Sequence, residues 1–171
     1  VENNGRVRLF RLNRPEAKNA FNEAMYDSLT ELLIEAEGDT TIAVIVITGQ
    51  GDSFSSGTDV VELGQRMTDP SFTPGKHGFP GLADTLVDFS KPLLCAVNGL
   101  GLGIGVTILG LSDLVFMGHS ARVKCPFTDL ALAPEAASSF TFPTIMGRQN
   151  AIWTLLSSEW LSAEECFSMG L

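Results

Sequence analysis

The chain has 171 residues, enough for one domain with a sizeable apolar core. Hydrophobic residues make up 44% of it and charged residues 18%, a balance that excludes intrinsic disorder. The formal net charge is −9, which argues against nucleic acid as a partner. An anionic ligand would need local positive groups or backbone N–H groups. The three cysteines are isolated in the sequence, which predicts free buried thiols in a reducing compartment.

The first part of the chain predicts strands that alternate with helices. Val7–Leu12 alternates as a strand does, and Asn22 is placed to cap a helix that ends at Gly38. Ala43–Thr48 is a continuous apolar run, typical of a strand covered on both faces. A loop rich in glycine and serine follows it, and a short helix is expected near Val60–Gln65.

Thr68–Gly81 is rich in proline and glycine and shows no periodicity. It predicts a loop, either a mobile one beside a functional site or a plain surface connection.

Pro92–Leu111 is nearly long enough to cross a membrane, but its proline, its Asn98 and its glycines favour a buried strand, a turn and a helix. No membrane association is therefore expected.

The remaining segments continue the alternation of strands and helices, which predicts an α/β fold with residues 1–171 as one domain. Expected strands are Leu93–Val97 and Leu114–Met117, and expected helices are Leu82–Phe89, a helix that ends near Leu111, Ser138–Met146 and Gln149–Ser157. Ser162 and Glu165 predict a capping box for a last helix, which Gly170 would end.

Glu135 is the one charged residue between Leu130 and Gly147. A carboxylate in apolar surroundings resists ionisation, so its pKa rises toward the range that is useful for moving protons at neutral pH. The alternative is a surface role, because a glutamate that follows a proline in the first turn of a helix often only complements the helix dipole.

Two glycine-rich turns follow buried strands. They are Phe54–Asp59, with the sequence FSSGTD, and Asn98–Gly105, with the sequence NGLGLGIG. Two such turns on neighbouring strands could direct two backbone N–H groups at one oxygen and form an oxyanion hole, although glycines can also simply permit tight turns. The glycines match neither the dinucleotide-binding fingerprint nor a P-loop, and the two histidines have no metal-ligand spacing, so no metal site is expected.

Together with these turns, several segments resemble the crotonase superfamily, the enoyl-CoA hydratase/isomerase group, in order and spacing from Val7 to Leu171. The segments are Arg11–Phe21, Phe54–Asp59, Lys91–Gly105, Asp113 and Cys125–Glu135. The resemblance implies a crotonase-like spiral of ββα units that binds acyl-CoA thioesters. It also implies a chain that is truncated or incomplete at its C-terminus, without the family's C-terminal helical region.

The resemblance implies a role for three catalytic positions. Thr58 and Ile104 match the residues whose N–H groups stabilise a thioester enolate, and Glu135 matches the single glutamate of peroxisomal-type Δ3,Δ2-enoyl-CoA isomerases. Hydratases of the family carry carboxylates where this chain has Thr107 and Phe127. The expected reaction is therefore a double-bond shift, in which Glu135 takes a proton from C2 and returns it at C4.

The substrate-binding positions are also implied by the resemblance. Lys18 matches a position near the nucleotide end of CoA, and Arg14 is a weaker candidate. A solvated surface charge is the alternative for both residues, and it is favoured slightly for Arg14. The residues expected along the CoA thioester are Ser55, Ser56, Gly57, Asp59 and Gly103. No cofactor is expected, since CoA is part of the substrate.

The resemblance further implies a homotrimer or a dimer of trimers, in the cytoplasm or, in a eukaryote, the peroxisome. Two alternatives to the isomerase remain. One is other chemistry on acyl-CoA, such as hydration or hydrolysis, and the other is a catalytically silent acyl-CoA-binding module like the crotonase domains that are linked to chromodomains. The glutamate at position 135 favours an enzyme over the silent module.

Overall fold

Nine strands and six helices alternate along the chain in the computed structural model, which describes residues 1–171. The strands are β1 (Glu2–Asn4), β2 (Val7–Leu12), β3 (Val44–Gly49), β4 (Ser53–Ser55), β5 (Leu93–Val97), β6 (Leu100–Leu102), β7 (Leu114–Met117), β8 (Arg122–Lys124) and β9 (Leu161–Ser162). The helices are α1 (Glu23–Gly38), α2 (Val60–Thr68), α3 (Gly78–Asp88), α4 (Ile104–Thr107), α5 (Ser138–Leu156) and α6 (Ala163–Met169). None of the helices is long and apolar enough to cross a membrane.

The strands form two sheets, and the chain moves repeatedly from one sheet to the other. One sheet has the order β1-β2-β3-β5-β7 and the other β4-β6-β8-β9. Strands β2, β3, β5 and β7 are parallel to one another, as are β4, β6 and β8. The pairs β3–β4, β5–β6 and β7–β8 each join the two sheets directly, and a helix follows each of the three pairs. This arrangement confirms the predicted α/β spiral of ββα units.

The second sheet was not predicted, because its strands have only two or three residues each and show no periodicity. Its position beside the first sheet depends on glycine. A Cβ atom on Gly49 would lie 2.0 Å from the carbonyl oxygen of Ser53, and one on Gly99 would lie 1.8 Å from that of Asp52. Only residues without a side chain allow the chain to cross between the sheets at these two points.

The predicted helices are confirmed, with shifted boundaries. The Asn22 side chain accepts a hydrogen bond from the Met25 N–H at 2.9 Å and caps α1. Gly147, with φ of 76°, interrupts α5 between the two helical segments that were expected. The expected loop Thr68–Gly81 is shorter than predicted, because α3 begins at Gly78. Asp27 holds the start of α3. Its carboxylate accepts hydrogen bonds from three successive backbone N–H groups, those of residues 76, 77 and 78.

Asn19 holds the segment before α1 against the turn that follows β3. It is completely buried, and its amide group donates to the carbonyl oxygens of Gln50 and Ser53 at 2.9 and 2.8 Å. Its side-chain oxygen accepts from the Arg14 N–H at 2.9 Å. Its φ of 56° is in the left-handed region, which asparagine tolerates better than most residues. This one side chain therefore fixes the position of β4 and of the glycine-rich turn after it.

We expect Asn19→Ala to lower the free energy of unfolding by roughly 2–4 kcal/mol, because it leaves buried carbonyl and N–H groups without partners. Urea denaturation of the purified protein measures the change. Asn13→Ala is the matched control, since Asn13 is exposed and its side chain makes no hydrogen bond. Equal losses in the two variants would show that Asn19 does not hold the two segments together.

Candidate active site

A cavity of about 630 Å³ lies between α1, α2, the start of α3 and the segment that precedes α5. Its wall is mostly apolar and includes Phe21, Phe79 and Phe127. Both glycine-rich turns and Glu135 also line it. The cavity thus brings together the three sequence features for which chemistry was predicted.

The two glycine-rich turns touch each other at the wall of this cavity. Strands β4 and β6 are parallel neighbours, so the turns that follow them lie side by side. A Cβ atom on Gly57, where φ is 90°, would lie 2.9 Å from the carbonyl oxygen of Leu102. A Cβ atom on Gly103, where φ is 51°, would lie 3.9 Å from the Gly57 Cα. The backbones of the residues that follow, Thr58 and Ile104, are therefore close together.

The N–H groups of Thr58 and Ile104 are available to a ligand. Phe21 pairs with the residues on either side of Thr58, since its N–H donates to Gly57 and its carbonyl oxygen accepts from Asp59, both at 2.8 Å. The Thr58 N–H points away from this pairing and donates no hydrogen bond within the chain. Ile104 is the first residue of α4, so its N–H has no partner in the helix. Two such donors can stabilise a negatively charged oxygen.

Glu135 presents an incompletely satisfied carboxylate to the same cavity. Its Oε1 accepts a hydrogen bond of 2.6 Å from the Thr107 hydroxyl, whereas its Oε2 is buried and has no partner. Burial raises the pKa of Glu135 to about 7, and the hydrogen bond from Thr107 opposes this rise only in part. A carboxyl group with this pKa can accept and release a proton near neutral pH.

The backbone around Glu135 excludes the surface role considered above. Helix α5 begins at Ser138, so Glu135 precedes the helix and is not in its first turn. Ala136 and Ala137 have φ values of 50° and 55°, in the left-handed region that alanine rarely adopts. The carbonyl oxygen of Glu135 accepts hydrogen bonds from the N–H and the hydroxyl of Ser138 at 3.0 and 2.6 Å. These contacts keep the strained turn in place with the side chain directed into the cavity.

Comparison with known proteins identifies the family. Residues 2–171 match the family model described as enoyl-CoA hydratase/isomerase. The chain belongs to this family. It is 37% identical over its whole length to enoyl-CoA delta isomerase 2 of Rattus norvegicus, of which it covers 44%. It is 35% identical over its whole length to 2,3-dehydroadipyl-CoA hydratase of Escherichia coli, of which it covers 66%.

The fold agrees with this membership. The crystal structure of enoyl-CoA hydratase EchA8_6 from Mycobacterium marinum superimposes with a TM-score of 0.95 at 57% identity, over 99% of this chain and 79% of that one. The chain spans between about two fifths and two thirds of the length of the curated relatives mentioned above. Both isomerases and hydratases occur among these relatives, so their names alone do not distinguish the two activities within the family.

Two residues of this candidate site were not predicted as partners of Thr58 and Glu135. Tyr26, only 2% exposed, places its hydroxyl 2.7 Å from the Thr58 Oγ1 and packs against Phe21 and Phe79. From the sequence, Thr107 is recognisable only as the replacement of a hydratase carboxylate. In the sequence Tyr26 lies on the apolar face of α1 and looks like a core residue. The one available signal was that a buried tyrosine hydroxyl needs a hydrogen-bond partner.

Most of the predicted substrate-binding residues line the cavity. They are Ser56, Gly57, Asp59 and Gly103, and the three predicted catalytic residues, Thr58, Ile104 and Glu135, line it as well. Ser55 does not line it. Its hydroxyl is buried, donates to the carbonyl oxygen of Asn19 and accepts from the Gly57 N–H. Lys18 is exposed outside the cavity, and its ammonium group has no partner in the chain.

Arg14 is not the solvated surface charge that was considered for it. Its guanidinium group contacts the Asp59 carboxylate at 3.1 Å and donates to the carbonyl oxygen of Ala20 at 2.7 Å. The same carboxylate accepts from the N–H groups of Val61 and Glu62 and caps α2. Arg14 and Asp59 therefore fix the end of the first glycine-rich turn to the start of α2.

We expect the side-chain carboxyl of Glu135 to titrate with a midpoint near pH 7. Carbon-13 NMR of protein labelled at the glutamate carboxyl groups measures the midpoint, and Glu135→Gln assigns the resonance by removing it. A midpoint at the ordinary glutamate value of about 4.3 would mean that water reaches the carboxylate. In that case the site would lack a base suited to neutral pH.

Proposed function

We propose that this domain catalyses a Δ3,Δ2-enoyl-CoA isomerisation through a thioester enolate. The observation that carries the proposal is the unpartnered Oε2 of Glu135, which lines the same cavity as the free N–H groups of Thr58 and Ile104. A base beside an oxyanion hole is what removal of a proton α to a thioester carbonyl requires.

The other carboxylates of the cavity already have partners. Glu23 accepts from the Gly75 N–H and pairs with Arg66. Glu62 accepts from the Glu23 N–H at 2.6 Å, and Asp59 caps α2. Among the lining carboxylates, Glu135 is the one with a buried oxygen that has no partner, so it is the candidate base.

The proposed reaction moves one proton. The Oε2 of Glu135 takes a proton from C2 of a 3-enoyl thioester, and the resulting negative charge spreads to the thioester oxygen. The N–H groups of Thr58 and Ile104 stabilise that oxygen. Glu135 then gives the proton to C4, which leaves the double bond between C2 and C3. In other enzymes, loss of one such donor costs about 2.7–4 kcal/mol of transition-state stabilisation.

Hydration is the second candidate, because relatives named as hydratases are similar to this chain. Adding water to a double bond needs groups that hold and activate the water. Thr107 and Phe127 occupy the positions at which the family resemblance places the hydratase carboxylates. Phe127 is an apolar, buried part of the cavity wall, and the Thr107 hydroxyl is engaged with Glu135. These contacts favour the isomerase over the hydratase.

A silent acyl-CoA-binding module fits the geometry less well. A buried carboxylate oxygen without a partner lowers stability, and binding alone does not require one. For the CoA part of the substrate, we propose that the backbone of Ser56–Asp59 and Gly103 lies along the thioester arm, whereas the completely buried Ser55 does not reach it. The free ammonium group of Lys18 would pair with a phosphate.

Separate assays with 3-hexenoyl-CoA and 2-hexenoyl-CoA test the proposal, since one follows double-bond migration and the other follows hydration. We expect migration to be at least tenfold faster in kcat/KM than hydration, because no second carboxylate is placed to activate water. Equal or faster hydration would contradict the isomerase assignment and favour the second candidate.

Glu135→Gln should lower kcat for isomerisation by ~10²–10⁴, the usual contribution of a general base, with little change in the Kd for a saturated acyl-CoA. The variant should also be more stable than the wild type at pH 8. Because the folded pKa is raised from 4.5 to about 7, the Glu135 carboxyl group lowers stability progressively as pH rises from 4.5 to 7, and the full loss is present at pH 8. A variant that keeps a third of the wild-type kcat would remove Glu135 as the base.

Gly57→Ala should lower kcat about 10²-fold, because its Cβ atom would collide with the Leu102 carbonyl and push the two turns apart. Gly64→Ala in α2 is the control, since a Cβ atom there meets open space. Thermal unfolding should show both variants to be folded, with Gly57→Ala less stable. If folded Gly57→Ala were as active as the control, the close contact of the turns would not be required for catalysis.

A further inference from the structure

The Thr107 hydroxyl contacts the carboxylate of Glu135, the proposed base. Thr107 is completely buried at the end of α4, and its Oγ1 lies 2.6 Å from the Oε1 of Glu135 and 3.4 Å from the carbonyl oxygen of Gly103. A hydroxyl has one proton, and a carboxylate at 2.6 Å is a much stronger acceptor than a carbonyl oxygen at 3.4 Å. Thr107 therefore donates to Glu135.

This contact makes the two oxygens of Glu135 different. Oε1 accepts the Thr107 hydrogen bond, whereas Oε2 is buried without a partner at the cavity. The carboxyl group cannot rotate to exchange the two oxygens without breaking the contact. Oε1 is thus held in position, and Oε2 is free to receive a proton.

On the basis of the proposed isomerase function, we propose that Thr107 is a positioning residue that holds Oε1 so that Oε2 carries out both proton transfers. Helix α4 links an oxyanion donor to the base. This helix begins with Ile104, whose N–H is one of the two proposed oxyanion donors, and ends with Thr107. A single rigid turn of helix thereby sets the position of the base relative to the oxygen that receives the negative charge.

The step balances with Oε2 as the acting atom. A lone pair of Oε2 takes the C2 proton, and the C2–H bonding electrons form the C1–C2 double bond of the enolate while the carbonyl electrons move to oxygen. In the return step the carbonyl re-forms, the C1–C2 electrons become the C2–C3 double bond, and the C3–C4 electrons take the proton from Oε2. Oε1 accepts from Thr107 throughout, first as part of a carboxylate and then as the carbonyl oxygen of the acid.

No other side chain donates a hydrogen bond to the Glu135 carboxylate, and no charged group pairs with it. The titratable groups that interact with it are Tyr26 from α1 and Cys125 from the segment after β8. Both are neutral at pH 7, because burial raises the pKa of the Tyr26 hydroxyl above its usual range and that of the Cys125 thiol to about 12. The guanidinium group that lines the cavity, that of Arg66, pairs with Glu23, and that of Arg14, outside the cavity, pairs with Asp59.

Thr107→Val and Thr107→Ser test the proposal in the full chain. Valine keeps the volume and removes the hydroxyl, whereas serine keeps the hydroxyl. For Thr107→Val we expect the Glu135 carboxyl midpoint and the acidic limb of kcat/KM to move up by about one pH unit, because the charged form loses a hydrogen bond. At the pH optimum, kcat should fall tenfold or more and KM should change less than twofold. Thr107→Ser should stay within threefold of the wild type, with unshifted midpoints.

The carbon-13 titration of Glu135 does not depend on activity, so it separates this proposal from the proposed function. A wild type without isomerase activity would overturn the function. An active enzyme in which Thr107→Val leaves both midpoints unchanged would overturn the role of Thr107 alone. So would a Thr107→Ser variant as impaired as Thr107→Val. Thr107→Ala is a second variant without the hydroxyl, for which the same shift is expected if valine does not pack in the buried site.

Discussion

The close contact between two glycine-rich turns is the constraint on which the site depends. Parallel pairing of β4 with β6 places the turns side by side, and the absence of a side chain at Gly57 lets their backbones meet. The two N–H groups at the cavity are a consequence of this contact. The spiral of ββα units places successive strand pairs side by side. The backbone therefore forms much of the candidate site, and few specialised side chains are needed.

Glu135, the proposed base, differs from the turns because its placement lowers the stability of the fold. Glu135 keeps an unpartnered oxygen in an apolar cavity, and two alanines with left-handed backbone hold it there. Both features oppose folding. The hydrogen bond from Ser138 holds the turn in place, and the hydrogen bond from Thr107 holds the carboxylate. A carboxyl group with a pKa of about 7 is the functional result of that unfavourable placement.

The sequence predicted the principal parts of the site because each left a local pattern. The turns contain glycines after apolar runs, and Glu135 is an isolated charge among apolar residues. The second sheet left no such pattern, since strands of two or three residues show no alternation. The contacts of Tyr26 with Thr58 and of Thr107 with Glu135 join residues 32 and 28 positions apart, so no local pattern could predict them. The pairing of Arg14 with Asp59 was missed for the same reason.

Enolate formation at this site is the central claim, and hydrogen exchange at C2 of a saturated thioester measures it without any movement of a double bond. Hexanoyl-CoA incubated with the protein in D₂O should gain deuterium at C2, as followed by proton NMR, much faster than in buffer. The Glu135→Gln variant should lose this exchange while it still binds the thioester. Exchange no faster than in buffer, or equal exchange in the variant, would contradict the account of Glu135 as a base beside two backbone donors.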